Sequence, residues 1–323
     1  MTLLLRHWRT SCYYIGNTIS PMNGGDRMKR IDRSTLYMNN DKTNRPSAIV
    51  ASGETFVVET ELATGDWLHS ERDLWSPEKT LGANPCVCIA VEGAEPGDTI
   101  SVRIGKIVPN RVGYMAIETD ESIFPAISKP IFGDIFAHTV KIREDWIELF
   151  PDVRVPVQPM IGTLGTTLAD RVETHIEGGH YGGNMDVQEV TEGAVIRFPV
   201  FVEGALLNVG DVHARQSDGE ASAVEVRSEV TLTVEVEKGF KPIEGPRIEN
   251  DDYIMTVACS PFEKQAFETA FRHMLVWLTE EHGFTEREAY ILLGAIVEGR
   301  CTRYIAPSYA FVCKVNKRYL TRG

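Results

Sequence analysis

VEVRSEVTLTVEVE, residues 224–237, alternates two kinds of side chain over its whole length. Val224, Val226, Val230, Leu232, Val234 and Val236 share one parity, while Glu225, Arg227, Glu229, Thr231, Thr233, Glu235 and Glu237 take the other. Successive residues of a strand point to opposite faces, so this pattern predicts one long antiparallel strand with an apolar face on a core and a wet face outside. TISVRIGKIV, residues 99–108, repeats the theme with Ile100, Val102 and Ile104 inward, and EPGD at 95–98 supplies the turn before it. The same period two runs from about residue 47 to residue 237.

After residue 255 the period changes. Ser260, Pro261 and Glu263 predict a capped helix start, followed by Phe262, Ala266, Phe267, Ala270, Met274, Leu275 and Leu278 at helical spacing as far as Gly283. Thr285 and Glu288 open a second helix over EREAYILLGAIVEG, whose apolar width predicts burial, and the chain closes on strand-like alternation. The fold class expected is mainly β with an α+β C-terminal part: an antiparallel β-sandwich-like body and two C-terminal helices. Residues 1–35 are expected to be a flexible extension or an over-long start, 36–240 the β body that carries the site, and 241–323 an α+β region packed on it.

With 323 residues, 43% of them hydrophobic, the chain is long enough for a sizeable core. Its formal net charge of -13 argues against a nucleic-acid partner, which needs a basic stripe. No run of apolar residues is long enough for a membrane helix, so no membrane partner is expected. The six cysteines are too scattered for a disulfide framework, which predicts a reducing cytoplasm. Cys86 and Cys88 sit in NPCVCIAVEGA, which reads as a strand with both thiols on one face as small apolar groups. A homodimer is expected.

Two segments carry chemistry. VGDVHARQSDGE, residues 209–220, holds Asp211, His213, Gln216, Asp218 and Glu220; GGHYGGNMD, residues 178–186, delivers His180, Asn184 and Asp186 from a glycine-rich stretch. In an extended chain Asp211 and His213 face one way, as do Asp218 and Glu220, so two bends would converge four ligand-type side chains, with Asp186 added from the glycine segment. An oxygen-rich set with one imidazole suits a divalent cation, Zn²⁺ first and Ca²⁺ as the alternative. Each residue alone reads as a turn aspartate or a structural histidine; their clustering favours a site.

These segments also resemble a known family. HYGGNMDVQEVTEGAVIRFPVFVEGALLNVGDVHARQSDGE is similar to the acetamidase/formamidase family, with its GGN-M/L-D segment and its GD-x-HA-x-Q-GDGE block; NPCVCIAVEGAEPGD and VPVQPMIGTLGT resemble two further segments in the same order. The resemblance implies a mostly-β fold, hydrolysis of small amides to a carboxylate and ammonia, and a bound divalent metal. By position it also implies that Glu59, in VETE, belongs to the substrate side. Ser217 stands where the family has glycine, Tyr181 separates His180 from the following glycines, and CVC replaces a TGP segment.

The expectation is therefore metal-assisted amide hydrolysis. Asp186, His213 and Asp211 are the candidate metal ligands, with Asp218 or Glu220 completing the set; Glu220, Asp218 and Asn184 are the candidate catalytic groups; Gly182, Gly183, Gln216 and Glu59 are the candidate substrate-binding residues. Two rivals stand beside it: a non-catalytic metal-dependent binding module, and a cupin-like metal oxygenase, which needs a second histidine next to His213.

Overall fold

A computed structural model describes residues 28–320 apart from 83, 240 and 306; most of the expected N-terminal extension, residues 1–27, lies outside the described residues. Two large, mainly antiparallel sheets form the body. The nine-stranded sheet runs from Lys29–Ile31 at one edge, through the central pair Thr99–Pro109 and Ser228–Glu237, to Glu298–Arg303 at the other. The eleven-stranded sheet runs from the edge strand Val153–Pro156 through Leu207–Gln216 and Met160–Gly165 to the short glycine strands Gly182–Asn184 and Gly178–Gly179. Side chains from both sheets, among them Phe56, Ile100, Val102 and Val234 from one and Val87, Ile161, Val209 and Val212 from the other, pack into one buried cluster. The fold is mainly β, with a sandwich-like body and two C-terminal helices, as the periodicity predicts.

Residues 224–237 are not a single strand. Ala223–Glu225 belongs to the eleven-stranded sheet and Ser228–Glu237 to the nine-stranded one, and the chain crosses between them at Val226 and Arg227. Parity survives the crossing because both sheets turn their inner faces to the same core: Val224, Val226, Val230, Leu232 and Val234 are all buried. Arg227 sits at the crossing and is itself buried, its guanidinium held by Glu61, Asp66 and the Leu68 carbonyl.

Cys86 and Cys88 are both buried, as expected of a strand with small apolar thiols on one face. Helix α1, Pro125–Phe132, is short and has Pro130 inside it. Helix α2 spans Glu263–Glu281 and lays Ala270, Met274, Trp277 and Leu278 on Ile254, Cys313 and Val315 of the nine-stranded sheet. Its expected capping box does not form: Ser260 Oγ accepts from the Phe262 amide and donates to Gln265 instead. Helix α3, Glu286–Ile296, has the Thr285/Glu288 box, but only Ala289 and Leu293 are buried and Tyr290 and Ile291 face outward, so the expected burial is overstated. The strand Arg247–Glu249, between the β body and helix α2, joins the nine-stranded sheet. Among the described residues no helix is long and apolar enough to cross a membrane.

Candidate active site

On the strand Leu207–Gln216, Asp211 adopts φ 56°, a left-handed conformation that a non-glycine residue holds only when its surroundings enforce it. Asp186, just beyond Gly182–Asn184, has φ 50°, and Glu220, in the turn after Gln216, has φ 53°. Three acids in one region share this strained backbone, and all three are buried.

Gly162, on the neighbouring strand, leaves the space in which they meet. A Cβ added there would lie 2.6 Å from Asp186 Oδ1 and 2.7 Å from Asp211 Oδ2, closer than any side chain allows. The floor of the site needs glycine because two carboxylates converge on it.

His213 occupies the centre and is fully buried. Its Nδ1 lies 2.8 Å from Gln216 Oε1, while Gln216 Nε2 donates to the backbone carbonyls of Asp186 (2.9 Å) and Thr302 (3.1 Å). Those two bonds fix which end of the amide faces the imidazole, so Nδ1 carries a proton and donates it. Nε2 is left facing Glu225 Oε1 at 3.1 Å and Asp211 Oδ1 at 3.3 Å. His213 and Glu225 are paired residues on adjacent antiparallel strands.

The remaining contacts aim the acids. Asn84 Nδ2 donates to Asp211 Oδ2 at 2.8 Å and Thr163 Oγ1 to the same oxygen at 3.1 Å. In the orientation that satisfies its neighbours, the Asn184 amide donates to Asp211 Oδ2 (2.9 Å) and Asp186 Oδ2 (3.1 Å) and accepts from Arg303 Nη1 (3.0 Å). Arg303, buried on the strand Glu298–Arg303, brings its Nε to 3.6 Å from Asp186 Oδ2.

Asp186, Asp211, Glu220 and Glu225 face one imidazolium at most and one guanidinium, which leaves two negative charges in excess. Burying such an excess is costly unless protons or a cation offset it. Burial, reinforced by Asp186, raises the Glu220 carboxyl well above its ordinary range; burial likewise raises Asp186, and pushes Glu225 up to about 7 against the opposing pull of His213. Burial alone would lower His213, but the Glu225 and Asp211 carboxylates outweigh it and hold the imidazole well above its usual value. Asp186 Oδ1, Glu220 Oε2 and Glu225 Oε2 are buried without a hydrogen-bond partner.

The donor set fits a divalent ion. Asp186, Asp211 and His213 offer ligand atoms within 4.8 Å of one another, and so do His213, Glu220 and Glu225. Oxygen donors with a single imidazole, whose other nitrogen is held by an amide, are the chemistry of Zn²⁺ and its harder neighbours.

Of the residues expected from the sequence, Asp186, Asn184, Asp211, His213, Gln216 and Glu220 come together. Asp218 does not. Gly219 at φ 79° and Glu220 at φ 53° turn the chain, which swings Glu220 inward and leaves Asp218 on the surface, where it accepts from Gln188 (2.9 Å) and pairs with Arg300 (2.9 Å). The parity that put Asp218 and Glu220 on one side holds only for an extended chain. Glu59 lies elsewhere, paired with Arg30 (2.9 Å) and Arg33 (3.7 Å). Gly182 and Gly183 are strand residues paired with Gly165 and Leu164, rather than an open loop. His180 is exposed, its ring edge-on to Phe201.

Sequence reasoning missed Glu225, Asn84, Thr163 and Arg303. Glu225 was legible as a polar-face residue, but that face looks into the site here and not into water. Nothing in the local pattern around Arg303 marks it.

A model of the acetamidase/formamidase family matches residues 168–313, a span that includes every central acid, His213 and Arg303. Over that span the chain is similar to the acetamidase/formamidase family. It is 34% identical over 143 residues to an acetamidase of Mycolicibacterium smegmatis, covering 40% of this chain and 34% of that one. With a formamidase of Methylophilus methylotrophus it shares 27% identity over 232 residues, 54% of this chain and 56% of the other. The matched stretches thus span between about a third and about half the length of these two curated relatives. A crystal structure of an acetamidase from Bacillus halodurans superposes with a TM-score of 0.82 at 26% identity, covering 90% of this chain and 98% of that one.

Proposed function

We propose that this chain is a member of the acetamidase/formamidase family and hydrolyses the C–N bond of a small carboxamide, formamide- or acetamide-like, to a carboxylate and ammonia, assisted by a divalent cation, Zn²⁺. The observation that carries the reading is the state of His213: Gln216 holds Nδ1 as a donor, and Nε2 is turned onto Asp211 and Glu225 among carboxylates in excess of the local positive charge.

His213 Nε2, Asp211 and Asp186 would hold the cation. When bound, it supplies Lewis-acid polarisation of the amide carbonyl and acidifies water at neutral pH. Glu225, raised to about 7, takes a proton from the water as its oxygen bonds to the amide carbon. Glu220, held protonated by burial and by Asp186, gives a proton to the nitrogen as the C–N bond breaks. Two carboxyl groups with separated environments thereby divide the acid and base work. Asn184 and Asn84 are engaged with the carboxylates and serve to orient them.

The single imidazole in both candidate metal groups among the described residues weighs against the oxygenase reading. A cytoplasmic location accords with the free thiols of Cys86, Cys88, Cys259, Cys301 and Cys313.

Elemental analysis of the purified protein, together with an ammonia-release assay on formamide and acetamide, tests the proposal. Stoichiometric divalent metal and turnover are expected, with both lost in His213→Ala. Full activity in that variant, or tight metal binding with no turnover of any small amide, would overturn it, the second outcome in favour of a binding module.

A further inference from the structure

Glu220 enters the acid cluster from the turn at residues 217–220, and little inside that turn holds it there. Its φ of 53° is unfavourable for a residue with a Cβ. The Glu220 amide donates to the Ser217 carbonyl over a long 3.2 Å. Its carboxyl group meets that of Asp186, and Oε2 is buried without a hydrogen-bond partner. Two carboxyl groups attract only while a proton lies between them, so this contact does not by itself draw the turn inward.

The hold comes from outside. Asp218, its side chain 67% exposed, turns away from the site and places Oδ1 2.9 Å from Gln188 Nε2 and 2.9 Å from Arg300 Nε. Gln188 stands two residues beyond Asp186, whose own φ is 50°. Asp218 therefore ties the segment that carries one strained acid to the segment that carries the other.

An isolated surface ion pair contributes little, because two long side chains must be ordered to make it. Here the ordering is already done. Arg300 grips Glu189 with both terminal nitrogens, Nη1 at 3.1 Å and Nη2 at 2.6 Å, and Nη2 also donates to Gln188 Oε1 at 3.0 Å. Lys314 holds the same Glu189 at 2.5 Å. The guanidinium fork thus presents Nε to Asp218 in a fixed position. On the other flank of the turn the Tyr304 amide donates to the Gly219 carbonyl at 2.9 Å.

We propose that Asp218 is a positioning residue: by clasping residues 217–220 to Gln188 and Arg300, it holds the carboxyl group of Glu220 against that of Asp186. Its effect on turnover rests on the amidase reading, while the clasp does not.

Hydrogen exchange of the purified protein reads the clasp without any substrate. In Asp218→Ala the amides of Glu220 and Tyr304, which report the two backbone bonds of the turn, are expected to exchange roughly tenfold faster, with the central strand Thr99–Pro109 unchanged. Unchanged protection at both amides overturns the inference, and so does a loss that spreads to the central strand. Kinetics on formamide then read the consequence. A catalytic group misplaced by about 1 Å costs roughly 100-fold, so Asp218→Ala is expected to lose about that much in kcat with KM within about twofold. Asp218→Asn keeps an acceptor for Gln188 and Arg300 and is expected to recover most of the loss. A raised KM at wild-type kcat, or an Asp218→Asn as impaired as Asp218→Ala, overturns the positioning role. A wild type that releases ammonia from no amide sinks the proposed function instead, and the exchange result still decides the clasp.

Discussion

Gln216 Oε1 accepts a hydrogen bond from His213 Nδ1 at 2.8 Å, and the two donor contacts of Gln216 Nε2 leave that amide no other orientation. The glutamine therefore sets the imidazole tautomer and aims Nε2 at Asp211 and Glu225. Gln216→Leu, similar in volume, removes this control and leaves the Asp186 and Thr302 carbonyls without their donor. Outer contacts of this kind are worth roughly 10–100-fold in metal affinity. A loss of that size is expected in competition with a chelator, with the fold intact by circular dichroism; unchanged affinity would show that Gln216 only fills space.

Gly162→Ala should be more severe than its single methyl group suggests. The added Cβ meets Asp186 Oδ1 at 2.6 Å and Asp211 Oδ2 at 2.7 Å, and both acids are already on strained left-handed backbone. Neither can retreat without leaving the cluster. Overpacking of this sort costs about 1–3 kcal/mol. A protein of lowered melting temperature that neither retains metal nor releases ammonia is expected, and a fully active variant would mean that the carboxylates do not meet over Gly162.

How far these relationships can be read from the chain depends on how local they are. The alternation in 224–237 showed the strand character and the buried parity, because side-chain direction is a property of neighbouring residues. It could not show the crossing at Arg227, where the chain leaves one sheet for the other under the hold of Glu61 and Asp66, distant in sequence. Asp211, His213, Gln216 and Glu220 were visible as a cluster since one strand and one turn carry them. Asp218 was misplaced by the same logic, since two consecutive positive φ angles break the parity on which the reading relied. Arg303 and Asn84 reach the site only through long-range packing, which no short spacing encodes.

Arg303 offers a prediction about stability. Its guanidinium is buried, with Nη1 donating to the Ile176 carbonyl at 2.7 Å, Nη2 to Ser308 at 2.9 Å, and Nε lying 3.6 Å from Asp186. Arg303→Met removes the cation and leaves Asp186 facing Glu220 and Asp211 with less positive charge to offset them. Breaking a buried ionic contact from one side costs about 3–5 kcal/mol. Urea unfolding should report a loss on that scale, with the midpoint shifted and the slope retained; a loss below ~1 kcal/mol would mean that solvent or a proton replaces the guanidinium readily.

The acid at 225 predicts the pH dependence of the metal-free protein. Its folded-state pKa is raised from 4.5 to about 7, so the folded form binds the proton more tightly than the unfolded form does. The sign follows: this group's contribution is complete below about pH 4.5 and is lost as pH rises through about 7, amounting to ~3 kcal/mol at 1.36 kcal/mol per unit. His175 and His273, both lowered to about 4 chiefly by burial, act oppositely between pH 4 and 6.5, so wild-type stability alone does not isolate Glu225. The difference between wild type and Glu225→Gln cancels those two histidines and reports Glu225 together with the pull it exerts on His213. Measured by urea unfolding after chelation, the wild type should lose stability relative to the variant as pH rises from 5 to 8. A difference that stays flat across that range would mean that Glu225 is ionised throughout and that burial does not raise it.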